Sequence, residues 1–510
     1  MVMAESKGRR LLLTLLTTGV ATLLAFGINF FITPFITSRL GSDAYGFINL
    51  SNTFVSYALI GTTAITSFAT RYIGVEYLRG NYEESSKYFS TVLVSTAVFS
   101  VLLFIVLVMV GLNLNCFMNV PERLLSDVQY LMVLVFVNFL IVNASTCFSC
   151  SAYIENKLDV YGLFQSGSYI VEALLLLTLY GFFSPKLAFF GVGLMAAGIV
   201  VLVGNLAIFE RYTPKLSFGF RYFEPRYLKN LVANGVWNSI NQLGNTLNSG
   251  LDLVVANIML NPVAMGQVAI SKTFSGVFSR LFQLVSTAFQ PLFLESYSKG
   301  DSERLHSDLL LSMKLSGAIS NILFAGFFAL CPLFYKLWIP DQDLDVLYSL
   351  TMLTVACSAF EGPVNPLYYV YTLTTKNRFP CFVTLAGGVF NVVGMVMLIR
   401  CTDLGIYSVA LTTTVVMGFI NLVTNPIYIA HCLGQKPAFF YPTLGRVLLS
   451  GIVMCPVFAA IVNALSLDSW LGFVFSAAVC AAAGCLIHFT IAFSKDEKCA
   501  VLQRFVRRAH

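Results

Sequence analysis

Fourteen long apolar segments dominate this chain of 510 residues and restrict it to one fold class. A membrane-spanning helix needs about 20 mostly apolar residues. The segments lie at roughly 11–37, 43–70, 88–114, 127–152, 159–182, 187–209, 228–259, 264–296, 308–338, 345–374, 380–400, 405–431, 444–466 and 470–493. Only 11% of the residues are charged, against about 25% in soluble proteins, so no soluble core could enclose this apolar surface. The sequence predicts an all-α polytopic membrane protein.

The basic residues predict how the chain crosses the membrane. Of the 31 lysines and arginines, 24 fall at the N-terminus, at the C-terminus or in every second connection between spans. Cytoplasmic segments carry an excess of these residues. We therefore expect a multi-pass protein of the cell (cytoplasmic) membrane with both termini in the cytoplasm.

The chain also resembles itself. A shift of 220 residues places 41–54 on 261–274 and 77–84 on 297–304, with Gly46 matching Gly266. Six spans separate the two copies, so both have the same orientation, as in transporters built from parallel repeats. We predict a six-helix bundle at 1–210, a cytoplasmic linker at 211–227, a second bundle at 228–431, two extra spans at 444–494 and a basic cytoplasmic tail at 495–510.

Span 7 carries polar residues at steps of four and three positions. They are Asn234, Asn238, Asn241, Asn245, Asn248 and Asp252. At about 100° per residue they share an arc of roughly 80°, one face of the helix. This face could form hydrogen bonds to a neighbouring helix, or it could line a water-filled cavity. Six positions along most of the bilayer depth favour the cavity, which makes all six candidate substrate-binding residues.

Two cations lie in the following span. Arg280 is near the middle of span 8, too deep for its side chain to reach either surface, and Lys272 lies about two helical turns earlier. A charged residue at this depth is expensive and usually faces the interior of the bundle. We expect both to face the same interior as the span 7 amides and to bind an anionic ligand.

Two carboxylates also lie within spans, Glu172 and Glu361. Either one could pair with Arg280 as a structural ion pair, or could couple transport to an ion, since intramembrane carboxylates often mark ion pathways. Glu361 is the better coupling candidate. It precedes Gly362, Pro363 and Pro366, which should break span 10 beside it.

Other functional classes receive no support from the sequence. The connections between spans are short, and no G-x-x-x-x-G-K-[ST] motif is present, so the chain has no nucleotide-hydrolysing motor of its own. A membrane glycosyltransferase or ligase would need a larger extramembrane loop than 338–345 provides. We therefore expect no catalytic residues, no cofactor, no metal site and no nucleic-acid partner.

The segment FITPFITSRLGSDAYGFINL, 31–50, resembles the start of a known family. That family is the polysaccharide-flippase branch of the multidrug/oligosaccharidyl-lipid/polysaccharide (MOP) exporter superfamily. In this branch an apolar first helix ends in a proline-containing turn, followed by Leu-Gly, a short acidic linker and Tyr-Gly. The corresponding residues here are Pro34, Leu40, Gly41, Asp43, Tyr45 and Gly46. The layout of spans 1 to 12 is similar as well.

The resemblance implies a transporter that flips an isoprenoid-diphosphate-linked glycan by alternating access. The sugar and diphosphate would pass through the cavity while the lipid tail remained in the bilayer. The span 7 amides would then suit sugar hydroxyls, and Arg280 with Lys272 would suit the diphosphate. The implied partners are this lipid-linked anionic glycan and membrane lipids, with H⁺ or Na⁺ as candidate coupling ions and glycan-assembly enzymes as candidate protein partners.

The alternative within the superfamily is a cation-coupled multidrug exporter. Its substrates are mostly cationic, so an acid-lined cavity is expected there. Span 1 of this chain contains no Asp or Glu, which departs from the multidrug pattern. The cationic centre of span 8 also favours the flippase.

Overall fold

The computed structural model describes residues 2–465, 468–494 and 497–498, and every regular element in these ranges is helical. The predicted all-α fold is therefore confirmed. Most of the predicted tail at 495–510 lies outside the described residues. The α-helices are α1 Val2–Arg39, α2 Ser42–Thr66, α3 Ala69–Leu78, α4 Tyr82–Leu112, α5 Leu125–Phe148, α6 Cys150–Ile154, α7 Leu158–Phe182, α8 Ala188–Tyr212, α9 Pro225–Ser249, α10 Leu251–Met259, α11 Pro262–Ser298, α12 Ser302–Trp338, α13 Leu344–Val364, α14 Tyr369–Leu373, α15 Arg378–Cys401, α16 Tyr407–Phe419, α17 Asn425–Cys432, α18 Tyr441–Leu465 and α19 Trp470–Ala492.

All fourteen predicted spans are helical, but they fall into two groups. Within the described ranges, eleven helical segments are long and apolar enough to cross a membrane by length and composition. The three predicted spans outside this group are 43–70, 228–259 and 264–296, which form α2, α9 with α10, and α11. These spans are helical but carry many amide, hydroxyl and charged side chains. Two of these three spans, 7 and 8, contain the candidate substrate-binding residues, and the third, span 2, is the repeat partner of span 8.

Two spans of the C-terminal half are interrupted. The predicted break in span 10 is confirmed, because α13 ends at Val364 and a 3₁₀ turn, Asn365–Tyr368, leads into α14. Pro366 lies within that turn and cannot continue a helical hydrogen-bond ladder. Span 12 contains a π-helical stretch, Ile420–Thr424, between α16 and α17. Such stretches are frequent at functional sites.

The chain divides into two compact units, Met1–Gly266 and Gln267–His510. The first unit includes α9 and α10 as well as α1 to α8. Small residues set its helix contacts. A Cβ on Gly191 of α8 would lie 2.7 Å from the Leu134 side chain of α5, so these helices approach closely. Close contacts at small residues are the usual way in which membrane helices associate.

Gly46 of α2 and Gly266 of α11, which the internal repeat makes equivalent, pack against each other. A Cβ added to Gly46 would lie 3.0 Å from the Cα of Gly266, and one added to Gly266 would overlap the carbonyl oxygen of Ser42. Only glycine fits such a backbone-to-backbone approach. Both copies of the repeat therefore carry a glycine at the point where α2 contacts the start of α11.

The last two long helices of the second unit pack on α12 through a buried polar cluster. Lys314 of α12 is 4% exposed, and its Nζ lies 2.6 and 2.7 Å from the two carboxylate oxygens of Glu497. His488 of α19 contacts Ser450 of α18 through Nδ1 at 2.8 Å and the carbonyl oxygen of Lys314 through Nε2 at 2.9 Å. These bonds attach α18 and α19 to the unit.

Replacing Glu497 with glutamine should destabilise the protein and remove part of its pH dependence. Burial raises the pKa of Glu497, but the hydrogen bonds from Lys314 and Ser494 lower it by more, so this pKa lies below its usual value. A carboxyl with a lowered folded-state pKa stabilises the protein above its unfolded-state pKa and loses that contribution as the pH falls through the folded-state value.

We therefore expect the wild-type melting temperature to fall further than that of Glu497→Gln on acidification from pH 6 to pH 4. At pH 7 the variant should lose about 1–2 kcal/mol, because Lys314 keeps its charge in a buried place. Thermal unfolding in detergent measures both effects. The matched control is Asp468→Asn, since Asp468 pairs with Lys336 on an exposed surface at 3.4 Å and should change stability little. Equal losses in the two variants would contradict the prediction.

Candidate functional site

Four of the predicted polar positions form an exposed row on α9. Asn234, Asn238, Asn241 and Asn245 are all exposed. The helix begins at Pro225, whose fixed φ suits the first helical position. We call these four residues the asparagine row. They share one side of a helix in a chain that is otherwise mostly apolar.

One side of α9 packs on α2. Leu231 is fully buried, and a Cβ on Gly235 would overlap the carbonyl oxygen of Ala64 in α2. Near the other end of α9, the hydroxyl of Tyr57 in α2 donates to the carbonyl oxygen of Gly250 at 3.1 Å. α2 covers the side of α9 that carries Gly235, and the asparagine row lies about 60–120° around the helix from this glycine, where its side chains are exposed.

The two remaining positions of the predicted polar face differ from these four. Asn248 and Asp252 are each 2% exposed. The amide nitrogen of Asn248 donates to the carbonyl oxygen of Gly244 at 2.9 Å, within its own helix. The six predicted positions therefore do not have equal access to a ligand, and Asn248 and Asp252 contribute to packing in this structure.

Asn257 of α10 is a structural asparagine that the sequence pattern did not single out. It is fully buried, its Oδ1 accepts from the backbone N–H of Asn119 at 2.9 Å, and its Nδ2 donates to the carbonyl oxygen of Asn119 at 3.1 Å. These bonds attach α10 to the connection after α4. Span 7 thus contains exposed asparagines as well as a buried asparagine that forms hydrogen bonds to another part of the chain.

Arg280 lies at the midpoint of α11 and is exposed. Gln283 and Thr287, three and seven residues further on, are exposed too, and so is Leu284, so the arginine lies on an exposed face that is partly polar. The other side of the helix is buried and aromatic, with Phe278 and Phe282 at 3% and 0% exposure. Gln283 and Thr287 are not among the predicted site residues, although their helical spacing from Arg280 could have indicated them. Lys272 is partly exposed.

Glu361 has a different partner from the one that the ion-pair hypothesis assigns to it. Within the described part of the second unit it forms no ion pair with Arg280. Its Oε1 accepts from Asn365 Nδ2 at 3.1 Å, and Asn365 Oδ1 accepts from the hydroxyl of Ser286 at 2.7 Å. Asn365 lies in the 3₁₀ turn and Ser286 in α11. The break in span 10 therefore places an amide between the acid and the arginine-bearing helix.

Two asparagines near this break form a further network with tyrosines. Tyr368 donates to Asn421 Oδ1 at 2.6 Å, and Tyr371 donates to Asn425 Oδ1 at 2.9 Å. The π-helical stretch separates the two asparagines by one turn, and Asn425 Nδ2 donates to Asn421 Oδ1 at 3.2 Å. The second unit thus combines an interrupted span, a buried polar network and an acid.

Glu172 is isolated by comparison. It lies in α7, is 4% exposed and forms no ion pair with the described residues of the first unit. Among the described residues, no group of three or more histidine, cysteine, aspartate or glutamate side chains could hold a metal ion.

Comparison with known sequences finds a membrane protein that is similar over almost the whole chain. No family model matches the chain. It is 27% identical over 485 residues to the uncharacterized membrane protein EpsK of Bacillus subtilis (strain 168), and the match covers 95% of this chain and 96% of that protein.

Two solved structures have the same arrangement of helices. The lipid II flippase MurJ in an inward closed conformation matches with a TM-score of 0.66 and 15% identity, over 93% of this chain and 98% of the flippase. An inward-facing multidrug resistance MATE family transporter of the MOP superfamily matches with a TM-score of 0.64 and 14% identity, over 81% of this chain and 95% of the transporter. The solved proteins matched here are a flippase and a transporter rather than enzymes. This chain is therefore a multi-pass membrane protein with the fold shared by the lipid II flippase MurJ and the multidrug transporters of the MOP superfamily.

Proposed function

We propose that this protein flips a lipid-linked oligosaccharide or polysaccharide precursor, carried on an isoprenoid diphosphate, across the cytoplasmic membrane by alternating access. The observation that carries the proposal is the exposed asparagine row of α9. A polar group left unsatisfied in lipid costs several kcal/mol, so a membrane protein retains such a row where it meets water or a polar cargo. Neutral amides donate and accept hydrogen bonds, as sugar hydroxyls do.

The exposed Arg280 supplies the charge that a diphosphate requires. A guanidinium binds phosphate oxygens through two parallel hydrogen bonds and stays protonated at any working pH. In this proposal Arg280 and Lys272 bind the diphosphate and the asparagine row binds the sugars. The isoprenoid tail remains in lipid throughout. Asn248 and Asp252, which the sequence also nominates, support the row from its buried end.

A flippase and a multidrug transporter share this fold, and the charge of the site residues favours the flippase. The multidrug alternative draws its support from the similar TM-score of 0.64. An exposed arginine at the centre of a span is unfavourable for cationic drugs.

The proposal includes an orientation and an energy source. Both termini lie in the cytoplasm, as the distribution of basic residues predicts. H⁺ or Na⁺ drives the cycle through a carboxylate. The hydrogen bond of Glu361 to Asn365 beside the interrupted span supports Glu361 as that carboxylate.

Glu361→Gln should make flipping insensitive to the coupling gradient. Glutamine still accepts a hydrogen bond from Asn365 through its carbonyl oxygen, but it neither carries a proton nor attracts a cation. The measurement is flipping of a fluorescent isoprenoid-diphosphate glycan in proteoliposomes, with and without an imposed H⁺ or Na⁺ gradient. Glu172→Gln is the matched comparison in the first unit. If Glu361→Gln keeps the wild-type gradient dependence, Glu361 is not the coupling site.

The test of the function itself is mass spectrometry of membrane lipids after depletion of this protein in its host. We expect a diphosphate-linked glycan lipid to accumulate, and its level to return to normal with the wild-type gene but not with Arg280→Ala. The mass of that lipid would identify the cargo. Unchanged lipids together with new sensitivity to cationic dyes would instead establish the multidrug exporter.

A further inference from the structure

Three tyrosines from three helices form a connected aromatic group at the N-terminal end of α9. The rings of Tyr72 in α3 and Tyr88 in α4 stack with centroids 5.1 Å apart and an interplanar angle of 15°. The ring of Tyr227 in α9 meets Tyr88 edge-on, with centroids 4.4 Å apart and an angle of 74°. Both arrangements are favourable for aromatic pairs. The basic residues assign this end of α9 to the cytoplasm.

An ion-pair network fixes the base of this group. The hydroxyl of Tyr227 donates to Glu84, and Lys87 donates to the other carboxylate oxygen of Glu84 at 3.0 Å. Lys87 also lies 3.7 Å from a carboxylate oxygen of Glu224. These bonds fix the position of Tyr227, whose ring packs edge-on against Tyr88. Tyr88 in turn stacks on one face of Tyr72.

The outer member of the group joins the asparagine row directly. Asn234, the first residue of the row, donates from Nδ2 to the hydroxyl of Tyr72 at 2.9 Å and to the carbonyl oxygen of Asn230 at 2.8 Å. Both bonds use the amide nitrogen, which leaves the carbonyl oxygen of the exposed Asn234 for a ligand hydroxyl. Among the described residues the Tyr72 ring has one aromatic contact, to Tyr88. It also packs against the buried hydrophobic cluster that includes Ile73 and Phe89, and part of its side chain stays exposed.

A rigid aromatic face beside an exposed amide has the chemistry that recognises a sugar ring. The face of an aromatic ring is electronegative, so it attracts the polarised C–H groups of a pyranose, while amides bind the hydroxyls around its edge. Tyrosines that only anchor a protein at the membrane surface need no such partners. Here the tyrosines stack on one another and bond to the first amide of a polar row.

We propose that Tyr72 is a stacking platform for a pyranose ring of the glycan headgroup, with Asn234 binding a hydroxyl of the same sugar. The inference rests on the proposed flippase function and assigns its first sugar contact. Tyr227 and Glu84 act as positioning residues, because they hold Tyr88 beneath Tyr72. A headgroup bound here lies at the end of the asparagine row, from which its sugars can pass along the remaining amides.

The test compares two probes on the purified full chain in lipid nanodiscs. One is farnesyl diphosphate linked to N-acetylglucosamine, and the other is farnesyl diphosphate alone. For wild type, calorimetry should give a lower Kd for the sugar-bearing probe. In Tyr72→Leu the sugar-bearing probe should bind about fivefold more weakly, as expected for the loss of one aromatic contact, while the Kd of the sugar-free probe stays unchanged.

Two control variants separate stacking from general damage. Tyr72→Phe keeps the ring and should keep the preference for the sugar-bearing probe. Tyr82→Leu removes a nearby tyrosine that packs on Tyr77 and has no contact with the asparagine row, so it should keep the preference as well. Should Tyr72→Leu fail to fold, Tyr72→Trp retains an aromatic face, and its emission should change on addition of the sugar-bearing probe only.

The outcomes distinguish this proposal from the function on which it rests. If Tyr72→Leu weakens both probes equally, or neither, Tyr72 is not a sugar platform, although diphosphate binding by wild type would still support the flippase. If wild type binds neither probe, the flippase proposal itself is contradicted. A tryptophan signal with both probes would likewise overturn the stacking role.

Discussion

Arg280→Ala is expected to reduce glycolipid flipping about 100-fold while leaving membrane insertion and stability unchanged. Each hydrogen bond to a charged group contributes about 1.5–3 kcal/mol, and a guanidinium makes two with a diphosphate, so the loss of about 3 kcal/mol corresponds to this factor. Stability should not fall, because Arg280 is exposed and forms no ion pair within the described part of its unit. The rate is measured with a fluorescent isoprenoid-diphosphate glycan in proteoliposomes.

The controls for this prediction vary the geometry and the place of the charge. Arg280→Lys retains the charge but loses the planar guanidinium, so its flipping rate should lie between those of wild type and Arg280→Ala, about tenfold below wild type. Arg400→Ala removes another exposed arginine, at the end of α15, and should flip normally. Wild-type flipping by Arg280→Ala would refute the cationic site, and equal losses in Arg280→Ala and Arg400→Ala would indicate a general effect of charge.

The double variant Asn238→Leu with Asn241→Leu should slow flipping about tenfold without lowering the melting temperature. Both side chains are exposed, so leucine fits in their place. Only the hydrogen bonds to the cargo are lost, and a pair of ordinary ones contributes about 1–2 kcal/mol. Thermal unfolding and the flipping assay on the same preparation separate the two effects.

The matched variant is Asn257→Leu, the same substitution in the next helix of the same span. It removes the acceptor for the Asn119 N–H and the donor to its carbonyl oxygen, so it should cost about 1–3 kcal/mol of stability. If the double variant destabilises the protein as much as Asn257→Leu does, the exposed asparagines act as packing residues, and the sugar-binding role is wrong.

The sequence predicted the helical character of the whole chain because bilayer thickness fixes the length of an apolar segment. It also predicted the break in span 10 from Gly362, Pro363 and Pro366, since proline lacks the N–H that a helical hydrogen bond needs. The similarity of the chain to the MOP superfamily is confirmed at the level of the fold. The domain limits and the roles of the site residues remain predictions.

Partners across the chain could not be predicted in this way. Lys314 pairs with Glu497, 183 residues away, and Tyr72 joins Asn234, 162 residues away. The aromatic group on α3, α4 and α9 has no local sequence signal, because its members belong to three different helices. The partner of Glu361 could not be predicted either, although it is close in sequence. This partner, Asn365, lies in the 3₁₀ turn and also accepts a hydrogen bond from Ser286 of α11.

The sequence by itself determined that span 7 has a polar face, because the helical period places its asparagines on one side. The tertiary structure alone decided which of them are exposed. The asparagine row is exposed beside the side of α9 that packs on α2, while Asn248 and Asp252 of the same polar face are buried. The helical period fixes the direction in which each side chain points from the helix axis. Whether that side chain is buried depends on which neighbouring helix lies in that direction, and only the packed structure shows this.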